Sequence, residues 1–153
     1  MKRIINIIAA LAAVCFATSC QKEETTAKLD TALVGEWHLA STLVDGDELK
    51  GEVDVYLVFH SEGTFDLYQK TGSQKDRYDL YTGTCISLDG ILTGVYASGT
   101  PWGSSYKYKV TGSTLTLKSS DMLEEQIYEK ESLPSDIKVN TDTKAAETAA
   151  PIL

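Results

Sequence analysis

The feature that most constrains this chain is a series of short runs, from residue 33 to about residue 134, in which apolar and polar residues alternate. Side chains at every second position of a β-strand face the same side of the sheet, so the alternation is typical of strands with one buried face. Turns rich in Gly, Asp and Ser separate the runs. The pattern predicts an antiparallel all-β domain.

Eight of these runs are interpreted as strands, and they cover residues 36–43, 55–60, 64–70, 78–88, 91–98, 106–110, 114–118 and 126–130. Most of them follow one another through short turns, of which Ser61-Glu62-Gly63 forms the clearest hairpin. This succession favours a closed up-and-down barrel over a sandwich, because closure removes both unpaired edges of the sheet. An eight-stranded barrel is either filled by its own side chains or holds one small ligand.

The phase of the runs predicts the core of the barrel. Trp37 is expected to plug the closed base, and four further side chains are expected in the core: Phe59, Phe65, Leu115 and Leu117. The long run 78–88 places a set of apolar residues in phase on one face: Tyr78, Leu80, Ile86 and Leu88.

Residues 1–19 have the character of an export signal. Two basic residues precede an almost wholly apolar run that is too short to span a bilayer comfortably. Small residues then lead to Cys20, and the segment resembles the start of a bacterial lipoprotein. The resemblance implies cleavage between Ser19 and Cys20 and lipidation of Cys20, which would anchor the chain to a membrane. The alternative is an ordinary secretory signal with cleavage nearby.

A short charged run follows the cysteine, and it consists of Gln21, Lys22, Glu23 and Glu24. It resembles a lipoprotein export signal of some Gram-negative anaerobes, which routes proteins to the outer face of the outer membrane. The resemblance implies a lipid-anchored outer-membrane protein at the cell surface. The alternatives are a solvated linker and an anchored protein that faces the periplasm.

The remaining boundaries follow from composition. Residues 20–33 are expected to form a lipidated, disordered tether, residues 34–133 the barrel, and residues 134–153 a disordered tail that lacks aromatic residues. Loss of Cys15 with the signal and lipidation of Cys20 would leave Cys85 as the single thiol, which excludes an intrachain disulfide. A free cysteine is usually a small buried hydrophobe, and we expect this of Cys85.

Charge and motifs exclude several classes of function. The chain has 22 acidic and 14 basic residues and a formal net charge of −8, which argues against nucleic-acid binding. His38 and His60 have no neighbours at metal-ligand spacing, and no catalytic or phosphate-binding motif occurs. We therefore expect no metal, no cofactor and no enzymatic activity. The expected partners are the membrane, through the lipid, and a small ligand or an envelope protein.

Several motifs, taken in order, resemble those of small bacterial lipocalin-like lipoproteins. Residues 33–39 resemble the opening Gly-x-Trp strand, and residues 59–65 resemble a Phe-x-x-x-Gly-Thr hairpin. Residues 92–96, 106–110, 115–117 and 128–130 match later strands of that group. The resemblance spans residues 33 to about 134 and implies a small barrel with one open end. The paired cysteines of many secreted lipocalins are missing, so a transport role is not carried over.

The loop from Gly99 to Ser105 contains the most suggestive candidate site. It places Trp102 among Gly, Pro and Ser residues, and three tyrosines flank it: Tyr96, Tyr106 and Tyr108. Aromatic rings at a barrel mouth suit flat apolar or sugar-like ligands. The alternative is that Trp102 folds down onto the core as a lid.

Two functions remain open at this point. The first is a surface-anchored, non-enzymatic module that binds a small apolar or glycan-like ligand, or a protein partner, at the barrel mouth. The second is a structural or accessory subunit of an outer-membrane complex that has no small-molecule ligand. A cavity open at one end favours the first, and an interior filled by bulky side chains favours the second.

Overall fold

The computed structural model describes residues 28–49, 53–72, 76–140 and 150–153. The described residues form strands, turns and loops, without a helix among them. The strands are β1 (Gly35–Val44), β2 (Asp47–Glu48), β3 (Val53–Phe59), β4 (Thr64–Thr71), β5 (Asp79–Leu88), β6 (Ile91–Tyr96), β7 (Tyr106–Thr111), β8 (Thr114–Ser119) and β9 (Glu124–Lys130). The predicted signal, Cys20 and the 21–24 run lie outside the described residues.

The strands form one antiparallel sheet that closes on itself. Its order is β2-β1-β3-β4-β5-β6-β7-β8-β9, and β1 also pairs with β9. The pairing of β1 with β9 runs from Trp37 to Val44 and contains an irregularity between Leu39 and Ser41. The predicted all-β, eight-stranded closed barrel is confirmed. The short β2, which only extends the hairpin at the end of β1, lies where the sequence predicts a turn.

Alternate side chains of the eight long strands fill the interior. Trp37 and the predicted core residues Phe59, Phe65, Leu115 and Leu117 are buried, which confirms those predictions. Each such side chain contributes about 1.5–3 kcal/mol through removal from water. Cys85 is also buried, as expected, and it is a free thiol.

The antiparallel order gives the barrel two different ends. The end that we call the base carries the 60–63, 89–90 and 112–113 turns together with residues 28–34. The opposite end, which we call the mouth, carries the 97–105 and 120–123 connections. Trp37 closes the base, where its Nε1 donates to the carbonyl oxygen of Leu33 at 2.8 Å. The predicted plug at the base is therefore confirmed.

The apolar face of β5 lies on the outside of the barrel. Leu80, Ile86 and Leu88 are 39%, 42% and 59% exposed, whereas Asp79 and Cys85 on the other face are buried. The inner face is narrow because the Phe65 ring and the backbone of Val95 approach Gly83 closely. A Cβ atom at Gly83 would lie 2.1 Å from the Val95 oxygen. Position 83 therefore requires glycine, and the apolar residues Leu80, Ile86 and Leu88 point outward.

The described part of the expected tether belongs to the barrel, which corrects the prediction for residues 28–33. Leu29 and Leu33 are buried in the core cluster at the base. The backbone N–H of Asp30 donates to Ser87 Oγ at 2.7 Å, and the Asp30 carboxylate accepts from Tyr108 at 2.8 Å. Residues 28–33 cover the base because Leu29 and Leu33 both pack into the interior beside Trp37.

The described parts of the expected tail also contact the barrel, which corrects the prediction of disorder for those residues. Tyr78 forms a parallel bridge with Val139, with backbone hydrogen bonds of 2.8 Å to Lys138 and Asn140. Leu153 is 3% exposed and belongs to the core cluster. These residues need no core of their own, because each part adds to a surface that the barrel already provides. Residues 141–149 lie outside the described residues.

Candidate functional site

The inner wall of the barrel becomes polar toward the mouth. On β4 the inward positions run from Phe65 through Leu67 to Gln69, and on β9 they run back from Tyr128 to Gln126. Both glutamines are buried, and Gln126 is fully buried. A buried amide is costly unless hydrogen bonds satisfy it, so the partners of these side chains define the site.

The two amides bind the main chain of residues 150–153, which we call the 150–153 segment. Gln69 Nε2 donates to the oxygen of Ala150 at 3.0 Å, and Gln69 Oε1 accepts from the N–H of Ile152 at 2.9 Å. Gln126 Nε2 donates to the oxygen of Ile152 at 3.2 Å. One glutamine thus pairs with the segment as a neighbouring strand would, through one donor and one acceptor.

Gln126 also forms hydrogen bonds with side chains of the barrel wall. Its Oε1 accepts from the hydroxyl of Tyr128 at 2.6 Å, and its Nε2 donates to Glu124 at 2.6 Å. Tyr96 completes the set, because its hydroxyl donates to the oxygen of Leu153 at 2.7 Å. Burial raises the pKa of Tyr96 above its ordinary value, so its hydroxyl stays a neutral donor at physiological pH.

Two cavities lie at the mouth, and the 150–153 segment lines both of them. The larger has a volume of about 520 Å³, and its walls include Leu39, Val53, Glu124 and Ile152. The smaller, of about 350 Å³, is lined by residues that include Tyr81, Tyr96, Pro101, Pro151 and Leu153. The mouth therefore offers mixed apolar and polar surface on either side of one extended stretch of main chain.

The structure brings three of the four predicted aromatic residues together. The ring of Phe65 lies 5.1 Å from that of Trp102 and 5.7 Å from that of Tyr96, and the Trp102 and Tyr106 rings are 6.2 Å apart. Tyr108 is not part of this group, because its hydroxyl binds Asp30 at the base. A ligand-binding role for these residues stays a prediction.

Trp102 folds down onto the core, as in the alternative that the sequence left open. In β6 only Ile91 and Leu92 pair with β7. The loop after β6 turns back along the strand, and the backbone N–H of Trp102 donates to the Gly94 oxygen at 3.0 Å. A Cβ atom at Gly94 would lie 2.4 Å from Cε2 of Trp102. Glycine at this position therefore makes room for the indole, which closes the weakly paired part of the wall.

One polar atom of this aromatic group remains unsatisfied. The Nε1 of Trp102 is buried and has no hydrogen-bond partner within the described residues. Its chain neighbours Pro101 and Gly103 line the smaller cavity. A buried donor without a partner is unfavourable in an empty site, so an acceptor on a bound molecule would satisfy it.

The outer wall carries a separate polar cluster around His38. Its ring nitrogens lie 2.8 Å from Asp54 and 3.0 Å from Glu131, and its ring stacks on Tyr56 at 4.3 Å. Tyr78 donates to the other oxygen of Asp54. These contacts attach Glu131 and the chain that follows it to β1 and β3, so we assign the cluster a structural role.

The described residues carry limited chemistry of their own. In residues 28–49, 53–72, 76–140 and 150–153 no three His, Cys, Asp or Glu side chains come together in a group that could hold a metal ion. Burial raises the pKa of Cys85 to about 12, so its thiol is protonated at neutral pH and is a poor nucleophile. Among the described residues there is no helix that is long and apolar enough to cross a membrane.

The barrel is similar to solved structures of bacterial proteins. A lipocalin-like protein from Bacteroides uniformis matches with a TM-score of 0.50 and 15% identity, over 65% of this chain and 99% of that chain. The fold is lipocalin-like.

Two further structures give similar values. The lipoprotein YedD from Klebsiella pneumoniae matches with a TM-score of 0.46 and 18% identity, over 72% of this chain and 81% of that chain. An uncharacterized protein from Bacteroides eggerthii matches with a TM-score of 0.49 and 17% identity, over 65% and 99%. At such identities the likeness concerns the fold. No protein-family model and no curated protein matches the sequence.

The residues that sequence reasoning missed in this lipocalin-like barrel are Gln69, Gln126 and the 150–153 segment. The signal for the glutamines was present, since each continues the inward phase of a predicted strand in place of an apolar residue. An uncharged amide at a core position predicts a buried hydrogen-bonding partner. The partner itself lies 81 to 83 residues from Gln69, and no local pattern points to it.

Proposed function

We propose that the protein is a lipid-anchored, non-enzymatic binding module of the cell envelope, which takes a small apolar or glycan-like ligand into the mouth of its barrel. The observation that carries the proposal is the cavity of about 520 Å³ at the mouth. Sites for small molecules commonly have volumes of roughly 300–1,000 Å³ and combine apolar walls with a few polar groups.

The lining supports this class of ligand. Leu39 on β1 and Val53 on β3 supply apolar surface, and Glu48 and Glu124 supply acceptors for hydroxyl groups. The smaller cavity adds the aromatic ring of Tyr96. Pro101 and Gly103 also line this cavity, and the indole N–H of Trp102 between them in the chain is buried without a partner among the described residues. We assign this N–H to an acceptor of the ligand, and we leave Tyr108 outside the site because it lies at the base.

The location belongs to the same proposal. Lipidation at Cys20 after cleavage at Ser19 would hold the barrel at the outer membrane, and the charged residues 21–24 would direct it to the cell surface. Protease treatment of intact cells tests the exposed side. Digestion of the barrel before lysis supports surface display, and protection until lysis supports an anchored protein that faces the periplasm.

The ligand is tested with the protein purified from its own cells. Native mass spectrometry should show a retained small molecule, and Trp102 should report its binding in a Trp37→Phe background that leaves one tryptophan. Replacing Trp102 by Phe in the wild-type chain removes the N–H while keeping a ring, and it should weaken binding by about tenfold, since an unmade hydrogen bond in a buried site costs about 1–3 kcal/mol. Met122→Ala, at an exposed side chain of the 120–123 connection, is the control.

Two results oppose the proposal. A protein that carries no small molecule and binds none from an extract of its cells would remove the ligand. An unchanged affinity in the Trp102→Phe variant would remove the assigned donor.

A second candidate function is favoured by an exposed apolar stripe on the outer wall. Neighbouring positions of β5 and β6 expose Ile86, Leu88, Ile91 and Val95. Monomeric proteins rarely expose contiguous apolar surface without a use, so this stripe suits docking to an envelope protein. If the protein is an accessory subunit, a partner should co-purify with the wild-type chain and be lost from the Ile86→Glu variant. The control is Met122→Glu, which changes an exposed apolar residue elsewhere and should keep the partner.

A further inference from the structure

We propose that the mouth of the barrel recognises an extended apolar peptide, and that the 150–153 segment occupies this site as an internal competitor of the ligand. Competition with the ligand rests on the proposed function. Recognition of a peptide does not, because it follows from the contacts that the segment itself makes.

Side chains at the mouth bind the main-chain groups of the 150–153 segment. Gln69 donates to the Ala150 oxygen and accepts from the Ile152 N–H, and Gln126 donates to the Ile152 oxygen on its other side. Tyr96 donates to the oxygen of Leu153. Contacts to backbone groups supply affinity that does not depend on the side chains of the peptide, as in other cases where an extended peptide adds to a sheet.

The side chains of the 150–153 segment alternate between the two cavities. Ile152 lines the larger cavity, whereas Pro151 and Leu153 line the smaller one. Successive side chains of an extended chain point to opposite sides, so alternate residues of one peptide would face the two cavities. Leu153 is nearly fully buried, which makes its position the more selective. The site should therefore prefer a peptide with aliphatic residues at the positions of Ile152 and Leu153.

The 150–153 segment is separate from the barrel wall. Its described hydrogen bonds go to side chains, and no residue of it belongs to a strand of the closed sheet. Asn140 is held at the mouth end of β5 by its hydrogen bonds to Tyr78 and Asp79. Only nine residues lie between Asn140 and Ala150, so the chain keeps the segment close to its site and its binding there is intramolecular. A segment held in this way competes without being built into the wall.

The experiment compares the full chain with a chain that ends at residue 149. The peptide acetyl-Ala-Pro-Ile-Leu is titrated into both, and 1-anilinonaphthalene-8-sulfonate is titrated into both as an apolar probe. We expect the shortened chain to bind the peptide and the probe about tenfold more tightly or better. A gain of that size corresponds to a site that the segment occupies in about nine of ten molecules. The peptide should also displace the probe.

Two variants test the assigned contacts. In the shortened chain, Gln69→Leu keeps the side-chain bulk and removes both amide contacts. The affinity for the peptide should therefore fall about tenfold further than the affinity for the probe. In the full chain, Ile152→Asp should expel the segment and give the probe affinity of the shortened chain. Ile86→Asp, the same change on the outer wall, should leave both affinities as they are. The Ile152 variant also serves if the shortened chain does not fold.

The outcomes separate the two proposals. If the peptide binds neither the shortened chain nor the Ile152→Asp variant, peptide recognition is overturned. If the probe binds the full and shortened chains equally, the segment is not a competitor. If the peptide binds the shortened chain but neither the probe nor a cell-derived small molecule binds any form, the proposed small ligand fails while peptide recognition stands.

Discussion

The two ends of the barrel are closed in different ways. At the base, residues 28–34 lie directly before β1 and cover the interior with apolar side chains around Trp37. At the mouth, residues that are distant in the chain meet, and the buried amides of Gln69 and Gln126 bind the main chain of the 150–153 segment. One closure is continuous with the strand that it covers, and the other depends on contacts over long sequence separations.

This difference assigns stability to one end and binding to the other. The base is closed by apolar packing around Trp37, and its hydrogen bonds, such as those from Trp37 to Leu33 and from Tyr108 to Asp30, join residues of the chain to each other. The mouth combines cavities with donors and acceptors that any extended or hydroxyl-bearing molecule could use. We therefore expect changes at the base to alter folding without altering specificity, and changes at the mouth to alter binding at a smaller cost in stability.

The largest effect is expected from Trp37→Ala. The ring is fully buried and its N–H is satisfied, so its removal should lower the free energy of unfolding by about 3–5 kcal/mol. Urea denaturation followed by circular dichroism measures the change. Met122→Ala, at an exposed side chain of the mouth, should change it by less than about 0.5 kcal/mol. A loss below about 1 kcal/mol for Trp37→Ala would show that the base is not where the stability lies.

A smaller effect is expected where Trp102 covers Gly94. The added methyl group of Gly94→Ala would overlap the indole, so the variant should lose about 1–3 kcal/mol of stability and shift the Trp102 fluorescence. Gly103→Ala is the matched control, since a Cβ there meets no atom within 4 Å. Equal stability of the two variants would mean that the loop moves freely and that Trp102 does not close the wall.

A comparable or slightly smaller effect is expected from Gln126→Leu. The change leaves the buried hydroxyl of Tyr128 without its acceptor, which should cost about 1–3 kcal/mol. The double variant Gln126→Leu with Tyr128→Phe removes both partners and should recover part of the loss. Denaturation of the four chains forms a double-mutant cycle. Additive losses would contradict the pairing of these side chains at the mouth.

The strands could be predicted because their information is local. The run 64–70 corresponds to β4 (Thr64–Thr71), and the preceding hairpin turns at Gly63, whose φ of 84° favours glycine. Alternation also identified Trp37 and Phe65 as core residues. Each of these features depends on residues only a few positions apart, so one sequence contains enough information to predict them.

The face of β5 and the occupant of the mouth could not be predicted in this way. Alternation shows that β5 has two faces, but which face is inside depends on the Phe65 ring that lies over Gly83. Likewise, the polar and aliphatic composition of residues 134–153 predicts disorder, because Ile152 and Leu153 have no local partners. Their partners on β4 and β6 lie 57 to 83 residues away, and only the closed barrel brings them together.

The smallest expected effect is that of removing the 150–153 segment on the labelling rate of the Cys85 thiol. This rate distinguishes the base from the mouth. Cys85 is buried in the half of β5 nearer the base, where its N–H donates to the oxygen of Gly63. Burial raises the pKa of its thiol to about 12, so alkylation at pH 8 requires opening of the structure. The measurement uses iodoacetamide and mass spectrometry on chains with Cys15→Ser and Cys20→Ser, so that one thiol remains.

In these chains, ending the sequence at residue 149 should change the labelling rate of Cys85 by less than about twofold, because emptying the mouth leaves the base closed. Trp37→Ala should accelerate the same reaction by roughly 100-fold or more, in proportion to the larger population of open molecules. Fast labelling of the shortened chain would show that the 150–153 segment supports the whole barrel. The contrast between a structural base and an exchangeable mouth would then be wrong, since the segment would be part of the fold rather than an occupant of its site.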